Sequence, residues 1–527
     1  MKRALALILA PLLASTAALA EPIKVDGGLV EGVTLDNGVT GWFGIPFAAP
    51  PVRELRWKAP QPVQPWQGVM HAERKPPMCM QPVRTRTMNH YFGNEAISED
   101  CLYLNVWAPA DSAGKKLPVI VWIYGGGFGV GSASMANYSG ANLAKDGVIY
   151  VAANYRVGPL GFFAHPELTK EGNGHSGNYG LMDQVAALQW VQRNIAGFGG
   201  DPGNVTIMGQ SAGSASVAMM EMNPRARGLF HKAVGMSVSP FGSLVGPSPL
   251  ARGEAQGLKL QEKLGAASIE AMRDIGPDRI LAAAQGISGG IVIDGENITG
   301  TADEVFAAHR QNDVPTIVGF TRDETFANIG KASTVAEYQA LVRAAFGANG
   351  EAVLKAYPVK DDAGVNRAIV DITRDMSVGS QMYNWAAAVR ANGKSPAWAY
   401  HFTRRQPYTP GIKFSDHDPA TAGAYHTGEV PYFLRNLEAM NLFRQTRDWT
   451  PLDYKLRDTM SAIVLSFAKT GVPGPNWPVF DAKNPQVMLL GEEVKVIPWP
   501  NAKALPLLVG AKTAPPAPPA TPNRSRD

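Results

Sequence analysis

One pentapeptide limits the fold of this chain more than any other feature of its sequence. Gly209-Gln210-Ser211-Ala212-Gly213 comes directly after the strand-like segment Asn204 to Met208 and directly before the helical segment Ser214 to Met220. A strand, the pattern GxSxG and a helix, in that order, predict a sharp turn that exposes the serine hydroxyl at the carboxyl edge of a sheet. Flanking glycines let neighbouring elements pass close to such a strained turn. The pentapeptide alone fits an ordinary glycine-rich turn equally well.

A run of three glycines upstream distinguishes these two interpretations. Gly125, Gly126 and Gly127 follow the apolar segment Pro118 to Tyr124. Glycines leave their backbone N–H groups unshielded, so a substrate oxygen can come within hydrogen-bonding distance of them. Together with the N–H group of Ala212, those of Gly126 and Gly127 are predicted to form an oxyanion hole with three donors. The alternative, a phosphate-binding loop, lacks the Lys-Ser/Thr pair that such a loop needs.

Buried strands alternate with helical segments along the chain. Strands of a central sheet are predicted at four apolar runs: Pro118 to Tyr124, Val148 to Asn154, Asn204 to Met208 and Val314 to Phe320. The clearest helical pattern runs from about Gly180 to Ala196, and Gly197 is its predicted C-terminal cap. This alternation predicts the α/β class, with a large, mostly parallel central sheet and helices on both faces.

The first twenty residues have the pattern of a targeting segment. Two basic residues precede an apolar run, and the small-residue triplet Ala18-Leu19-Ala20 closes it. Residues 1–20 therefore indicate a secretory signal that is cut before Glu21, so the protein is expected to be periplasmic or secreted. A membrane anchor is the alternative, although Pro11 interrupts the run.

Net charge argues against nucleic acid as a partner. The 527 residues carry a charge of +4, removal of residues 1–20 lowers it to +2, and residues 511–527 account for the remainder. This Pro-rich and Ala-rich tail is predicted to be disordered, which leaves 21–510 as one near-neutral domain. No later segment has an apolar run that could cross a membrane, so neither nucleic acid nor a membrane span is expected.

The two cysteines are predicted to form a disulfide. Cys79 and Cys101 are 22 positions apart in a chain that carries an export signal, and disulfides persist in oxidising compartments. Two unrelated reduced thiols are the alternative. Neither cysteine has the neighbours that a metal site or a nucleophilic thiol needs, and no metal or other cofactor is expected.

Further motifs extend over nearly the whole mature sequence. They are the segments 43–48, 98–105, 154–156, 177–184, 198–202 and 477–478. With the two glycine motifs, they resemble in content and order the type-B carboxylesterase and cholinesterase family of the α/β-hydrolase fold, in particular its bacterial para-nitrobenzyl-esterase-like members. The resemblance implies a carboxylesterase domain over 21–510 and supports the pairing of Cys79 with Cys101. It also implies two ion pairs that position loops: Arg56 with Glu99, and Arg156 with Asp183.

A serine nucleophile needs a base, which the chain order places last. His426 lies in Gly423 to Tyr432, which resembles the catalytic-histidine segment of the family. His401, in the strand-like AWAYHF, is predicted to be structural, and His417 is predicted to be a solvated loop residue. His426 is therefore the predicted base.

The acid that orients this base is expected where a strand ends. Asp323 and Glu324 follow the predicted strand Val314 to Phe320 closely. Adjacent residues in an extended chain point in opposite directions, so at most one of the two is expected to reach the histidine. The resemblance selects Glu324. The chain departs from the common family pattern at Tyr124, Ser214 and Thr325.

These predictions together describe a serine ester hydrolase with the triad Ser211, His426 and Glu324, acting on a small-molecule ester as a monomer. An amidase, or a hydrolase specialised for a lactone or toxin ester, is the alternative within the same chemistry. A non-catalytic binding protein is the alternative outside it, and the intact triad argues against it.

Substrate preference is less constrained by the sequence. By resemblance, the loop enclosed by the cysteines lines the pocket mouth, and Tyr91 stands where a choline-binding enzyme carries Trp, so choline esters are disfavoured. Met219, Met220 and Met222 fit either adaptable pocket walls or the core side of a helix.

Overall fold

The longest uninterrupted apolar runs form the centre of one large sheet. The computed structural model describes residues 21–83, 88–89, 95–242, 244–287 and 289–512. The sheet has eleven strands in this part of the chain: β1 Val33–Thr34, β2 Val39–Pro46, β3 Tyr103–Pro109, β4 Leu117–Ile123, β5 Ile149–Ala153, β6 Gly200–Gln210, β7 Lys232–Met236, β8 Thr316–Thr321, β9 Ala397–Phe402, β10 Gln486–Leu490 and β11 Val494–Pro498.

The spatial order of the strands is β1-β2-β3-β5-β4-β6-β7-β8-β9-β10-β11. The seven strands from β5 to β10 are parallel, and antiparallel strands close both ends. β5, β7, β8 and β9 are buried at every residue, as expected for strands covered on both faces. The predicted α/β class and mostly parallel sheet are confirmed.

Helices cover this sheet. Those of eight or more residues among the described ranges are α1 Tyr179–Asn194, α2 Ala212–Met222, α3 Leu250–Leu264, α4 Val335–Phe346, α5 Val365–Arg374, α6 Ser380–Asn392 and α7 Pro451–Thr470. Shorter helices are Ala141–Ala144, Gly158–Gly161, Pro166–Glu171, Ile269–Arg273, Pro277–Ala283, Ala302–Ala307, Gly350–Ala356 and Val430–Phe433. Small sheets are formed by Ile23–Val25, Gly28–Glu31 and Val69–His71, by Met78–Cys79 and Ile97–Ser98, and by Ser248–Pro249 and Val292–Ile293. Within the described ranges, no helix has the length and apolar character to span a membrane.

The end of α1 differs from its prediction. A 3₁₀ turn, Ile195–Phe198, continues the chain beyond Asn194. The left-handed conformation that ends it belongs to Gly199, with φ 82°, whose N–H donates to the carbonyl of Ala196. The predicted cap at Gly197 is therefore wrong, because the extra turn moves the reversal by two residues.

Other scaffold predictions agree with the structure. Cys79 and Cys101 form a disulfide with their Cα atoms 5.0 Å apart. The two predicted ion pairs are present, and each is bidentate. The tryptophans 122, 190 and 477 are buried in the core. The proposed signal, residues 1–20, and the tail beyond Lys512 lie outside the described residues. The N–H of Lys512 itself donates to the carbonyl of Ala345.

The register of the parallel strands brings three loops together at one edge. Ile123, the last residue of β4, is opposite Gly209, and Gln210, the last residue of β6, is opposite Met236, the last residue of β7. The triple-glycine loop, Ser211 and the residue after β7 therefore emerge side by side. β8 ends at the same edge, because Met236 is opposite Gly319.

Glu221, on α2, predicts a pH dependence of stability. Its side chain is buried, accepts a hydrogen bond from Trp385 Nε1 at 2.8 Å and lies 2.8 Å from Thr316 Oγ. Burial raises the pKa of Glu221 from 4.5 to about 8. The folded protein thus holds a proton that the unfolded chain releases between these values. Stability is lost as pH rises through this window, by up to about 1.4 kcal/mol per pH unit.

Glu221→Gln is expected to remove this loss. The amide oxygen can accept the Trp385 N–H, and the amide nitrogen can donate to Thr316 Oγ, which itself donates to Val314 O at 2.9 Å. The stability of the variant relative to wild type should rise from pH 5 to pH 8, as measured by chemical denaturation. Glu351→Gln, at an exposed glutamate, is the control. A difference that stays constant over this range would contradict the prediction.

Candidate active site

Ser211 lies on a strained turn between β6 and α2. Its backbone has φ 59° and ψ −126°, a left-handed region that non-glycine residues rarely adopt. Its N–H donates to the carbonyl of Met236 at 2.9 Å. A Cβ atom on Gly213 would collide with the carbonyl of Ile123, and one on Gly209 would lie only 2.9 Å from the same oxygen. The end of β4 therefore packs against the turn, which requires both glycines.

Two loops bring a histidine and a glutamate to this serine. His426 Nε2 lies 2.8 Å from Ser211 Oγ, and His426 Nδ1 lies 2.5 Å from Glu324 Oε2. Glu324 follows β8, and His426 precedes the short helix Val430–Phe433. The structure thus joins the predicted nucleophile, base and acid in one chain of hydrogen bonds, although more than 200 residues separate Ser211 from His426.

The carboxylate of Glu324 is held on its other oxygen. Glu324 Oε1 accepts hydrogen bonds from Ser237 Oγ at 2.8 Å and from the N–H of Thr321 at 2.7 Å. These bonds direct Oε2 towards His426. Glu429 is buried beside this group, and burial, with the charge of Glu324, raises the pKa of Glu429 well above its usual range. Burial therefore favours the neutral form of Glu429, and Glu324 is the carboxyl group in contact with the imidazole.

Sequence reasoning did not identify three residues of this environment: Ser237, Glu429 and Gln210. Gln210 is buried, and its Nε2 lies 3.2 Å from His426 Nε2, the nitrogen that faces Ser211. Its place directly before the serine was the only signal for it. Ser237 follows β7 at the same sheet edge, a position that becomes informative only when the strand register is known.

The triple-glycine loop presents backbone donors next to Ser211. Gly126 and Gly127 have φ values of 121° and 62°. Within the described part of the chain, the N–H groups of Gly126, Gly127 and Ala212 donate to no protein acceptor. Ala212 begins α2, and the first N–H groups of a helix have no intrahelical partner. The arrangement leaves all three donors available to an oxyanion.

Side chains hold this loop at both ends. Tyr124 stacks on Tyr155 with ring centroids 4.3 Å apart, and Tyr155 Oη donates to the carbonyl of Tyr124 at 2.8 Å. The amide of Gln81 makes two hydrogen bonds with the backbone of Gly131, both at 2.7 Å. Tyr124, a departure from the common family pattern, thus anchors the start of the loop.

Ser211 lines a cavity of about 800 Å³. Its described lining is mostly polar and includes no Lys or Arg side chain. His417 lies in this wall, half-buried, with Nε2 2.7 Å from Tyr408 Oη. His417 is a loop residue, as predicted, but it is only partly solvated because its loop lines the cavity. His401 is buried in β9, as predicted.

The methionines of α2 are not part of this cavity. Met219, Met220 and Met222 are buried on a helix that is buried along its whole length, so their interpretation as core residues is the correct one. Asn89, from the loop enclosed by the cysteines, does line the cavity. Tyr91 lies outside the described residues. Within those residues, no group of three or more metal-ligating side chains occurs.

Fold and site together define the class of protein. A mostly parallel sheet with a serine on the turn between a strand and a helix, and with a glycine-rich loop beside it, is the arrangement of the α/β hydrolases. The chain belongs to the carboxylesterase family, whose family model matches residues 20–505.

Similar proteins carry esterase names. The chain is 37% identical over 483 residues to fumonisin B1 esterase of Sphingopyxis macrogoltabida, covering 89% of this chain and 86% of that protein. It is 32% identical over 489 residues to para-nitrobenzyl esterase of Bacillus subtilis strain 168, covering 89% and 94%. A solved PNB esterase structure superimposes with a TM-score of 0.76 at 29% identity, covering 92% of this chain and 99% of that one. The protein is a carboxylesterase.

Proposed function

We propose that this carboxylesterase hydrolyses its substrates through an acyl-enzyme on Ser211, with His426 as general base and Glu324 as the acid that orients it. The observation that carries the proposal is the contact of His426 with both partners, at 2.8 Å and 2.5 Å. A base that is hydrogen-bonded to a hydroxyl and oriented by a carboxylate is the arrangement that activates serine.

The first half of the cycle forms the acyl-enzyme. His426 Nε2 takes the proton of Ser211 Oγ while that oxygen bonds to the ester carbonyl carbon. The N–H groups of Gly126, Gly127 and Ala212 stabilise the oxyanion, helped by the positive end of the α2 dipole. Glu324 stabilises the imidazolium. His426 then protonates the leaving alcohol oxygen as its bond to the carbonyl carbon breaks.

The second half releases the acid. Water gives a proton to His426 Nε2 and bonds to the acyl carbon through the same oxyanion arrangement. The bond to Ser211 Oγ breaks, and the serine recovers its proton from the imidazolium. The same sequence cleaves an amide or lactone, so these remain the alternative substrates.

Gly126→Ala is expected to lower kcat about 10²- to 10³-fold, the usual cost of losing one oxyanion donor. A Cβ atom at this position would collide with the carbonyl of Val130, and φ 121° is unfavourable for alanine. The loop must therefore shift, which displaces its N–H donors. Gly129→Ala is the control, because its Cβ would meet no atom closer than 3.9 Å and its φ is not positive. Equal activity of the two variants would contradict the role of the loop.

Cavity size supports a bulky ester as substrate. A volume of about 800 Å³ is in the range of pockets that enclose drug-sized molecules. The names of two relatives, fumonisin B1 esterase and para-nitrobenzyl esterase, support the same proposal. The test is a panel of esters with graded acyl and alcohol groups, with one amide matched to the best ester. Faster turnover of the amide would favour the amidase alternative.

A fluorophosphonate probe tests the nucleophile directly. The probe is expected to label Ser211, as located by peptide mass spectrometry, and to stop hydrolysis in proportion to labelling. Absence of both labelling and hydrolysis would favour the non-catalytic binding protein.

We also propose that the protein is exported, after cleavage before Glu21. The charged, apolar and small-residue pattern of residues 1–20 supports this, and so does the disulfide, which suits an oxidising compartment. N-terminal sequencing of the protein from the periplasm or medium is the test.

A further inference from the structure

Two adjacent acids hold the histidine loop in different ways. Glu324 contacts the His426 ring, whereas Asp323 contacts the backbone two residues before it. Asp323 Oδ2 accepts a hydrogen bond from the N–H of Ala424 at 2.6 Å, and the N–H of Asp323 donates to the carbonyl of Ala424 at 3.0 Å. This reciprocal pairing joins the two loops that carry the acid and the base.

Gly423 shows how closely the loops approach. Its φ is 60°, and a Cβ atom there would collide with the carboxylate of Asp323. A side chain at this position would therefore push the histidine loop away from the acid loop.

Charge and burial keep Asp323 in place. Its carboxylate also pairs with Arg367 and, at 3.0 Å, with Arg322. Burial opposes its ionisation, but the Ala424 N–H and the two arginines outweigh burial and hold the pKa of Asp323 below its usual range. Both carboxylate oxygens are occupied by protein partners, which leaves Asp323 poorly suited to bind substrate although it borders the cavity.

We propose that Asp323 is a positioning residue that acts through the backbone of Ala424 to keep His426 in line with Ser211. The inference rests on the proposed function, because it assigns Asp323 an effect only on a catalytic His426. Displacement of a general base by about 1 Å costs about 10²-fold in rate. Both members of the acidic pair then position the same imidazole, Glu324 through the ring and Asp323 through the backbone.

The test compares Asp323→Ala with a matched aspartate at the opposite end of β8. Asp313 also holds a loop through backbone N–H groups, those of Lys394 at 2.7 Å and Ser395 at 3.2 Å. Asp323→Ala is expected to lower kcat for p-nitrophenyl acetate roughly 10- to 100-fold, with KM within about twofold of wild type. Asp313→Ala should leave kcat within about twofold. Equal effects of the two substitutions, or a change in KM alone, would overturn the proposal.

Two further variants keep the proposal testable if Asp323→Ala does not fold. Asp323→Asn keeps an oxygen that can accept the Ala424 N–H, so it should recover most of the lost kcat. Gly423→Ala separates the same contact from the other side and should lower kcat with KM unchanged. If Asp323→Ala does not fold, this second variant decides, and normal kcat in Gly423→Ala would overturn the proposal.

A double variant separates this inference from the proposed function. In a His426→Ala background, Asp323→Ala should change the residual rate less than twofold, because the residue acts through the missing ring. A further tenfold loss in that background would overturn the positioning role. Normal activity of His426→Ala alone would instead refute the proposed function.

Discussion

Ser211→Ala is expected to lower kcat for ester hydrolysis about 10⁴-fold or more, while the protein stays folded. Alanine removes only the oxygen that forms the acyl bond. Its Cβ occupies the same position, so the turn with φ 59° and the glycines that pack around it are unchanged. Any residual rate would come from the oxyanion donors and from substrate binding.

Ser214 provides a matched control three residues along α2. Its side chain is buried, and its hydroxyl has no hydrogen-bond partner among the described residues. Ser214→Ala should therefore retain the activity and unfolding temperature of wild type. Steady-state kinetics with an activated ester and thermal denaturation of both variants form the measurement. Near-normal hydrolysis by Ser211→Ala would contradict the assignment of Ser211 as the nucleophile.

His426→Ala is expected to lower kcat about as much as Ser211→Ala does, because the Ser211 hydroxyl then has no proton acceptor at 2.8 Å. Gln210 is close to the same position, but an amide cannot act as a base at neutral pH. The double variant Ser211→Ala/His426→Ala should be no slower than either single variant, since residues that act as one unit are strongly non-additive.

His71 is the control for this substitution. It lies on the small edge sheet, with its side chain 59% exposed, so His71→Ala should retain full activity. Single-turnover kinetics would show whether His426→Ala slows acylation, deacylation or both. Effects of the two triad substitutions that multiply in the double variant would argue against a shared mechanism.

Local patterns predicted the parts of the site that depend on local backbone chemistry. The turn at Ser211 and the triple-glycine loop follow from strand endings and from glycine at positions that no side chain can occupy. The period-two alternation of an extended chain also predicted that only one of Asp323 and Glu324 reaches the histidine, and the structure shows this division. Selection of Glu324 and His426 depended on family resemblance, since both contacts join distant segments.

Features that arise from tertiary packing could not be predicted from the sequence. His417 lies between two charged residues, a context typical of solvated loops, and only the tertiary fold places its ring in the cavity wall, against Tyr408. Ser237 contacts Glu324, and Glu429 is buried near it, because β7, β8 and the histidine loop converge. The shift of the α1 end from Gly197 to Gly199 depends on a 3₁₀ turn that is too short to leave a periodic signal.

The complete burial of α2 has a consequence for how such an enzyme diversifies. Because every residue of this helix is buried, a larger side chain at any of its positions would disturb the turn that presents Ser211. Random libraries, like natural drift, should accordingly accumulate selectivity changes in the peripheral segments around Asn89 and His417, which face the cavity without supporting the sheet. New substrate specificities would then arise in these peripheral segments, while the residues around Ser211 stay almost unchanged.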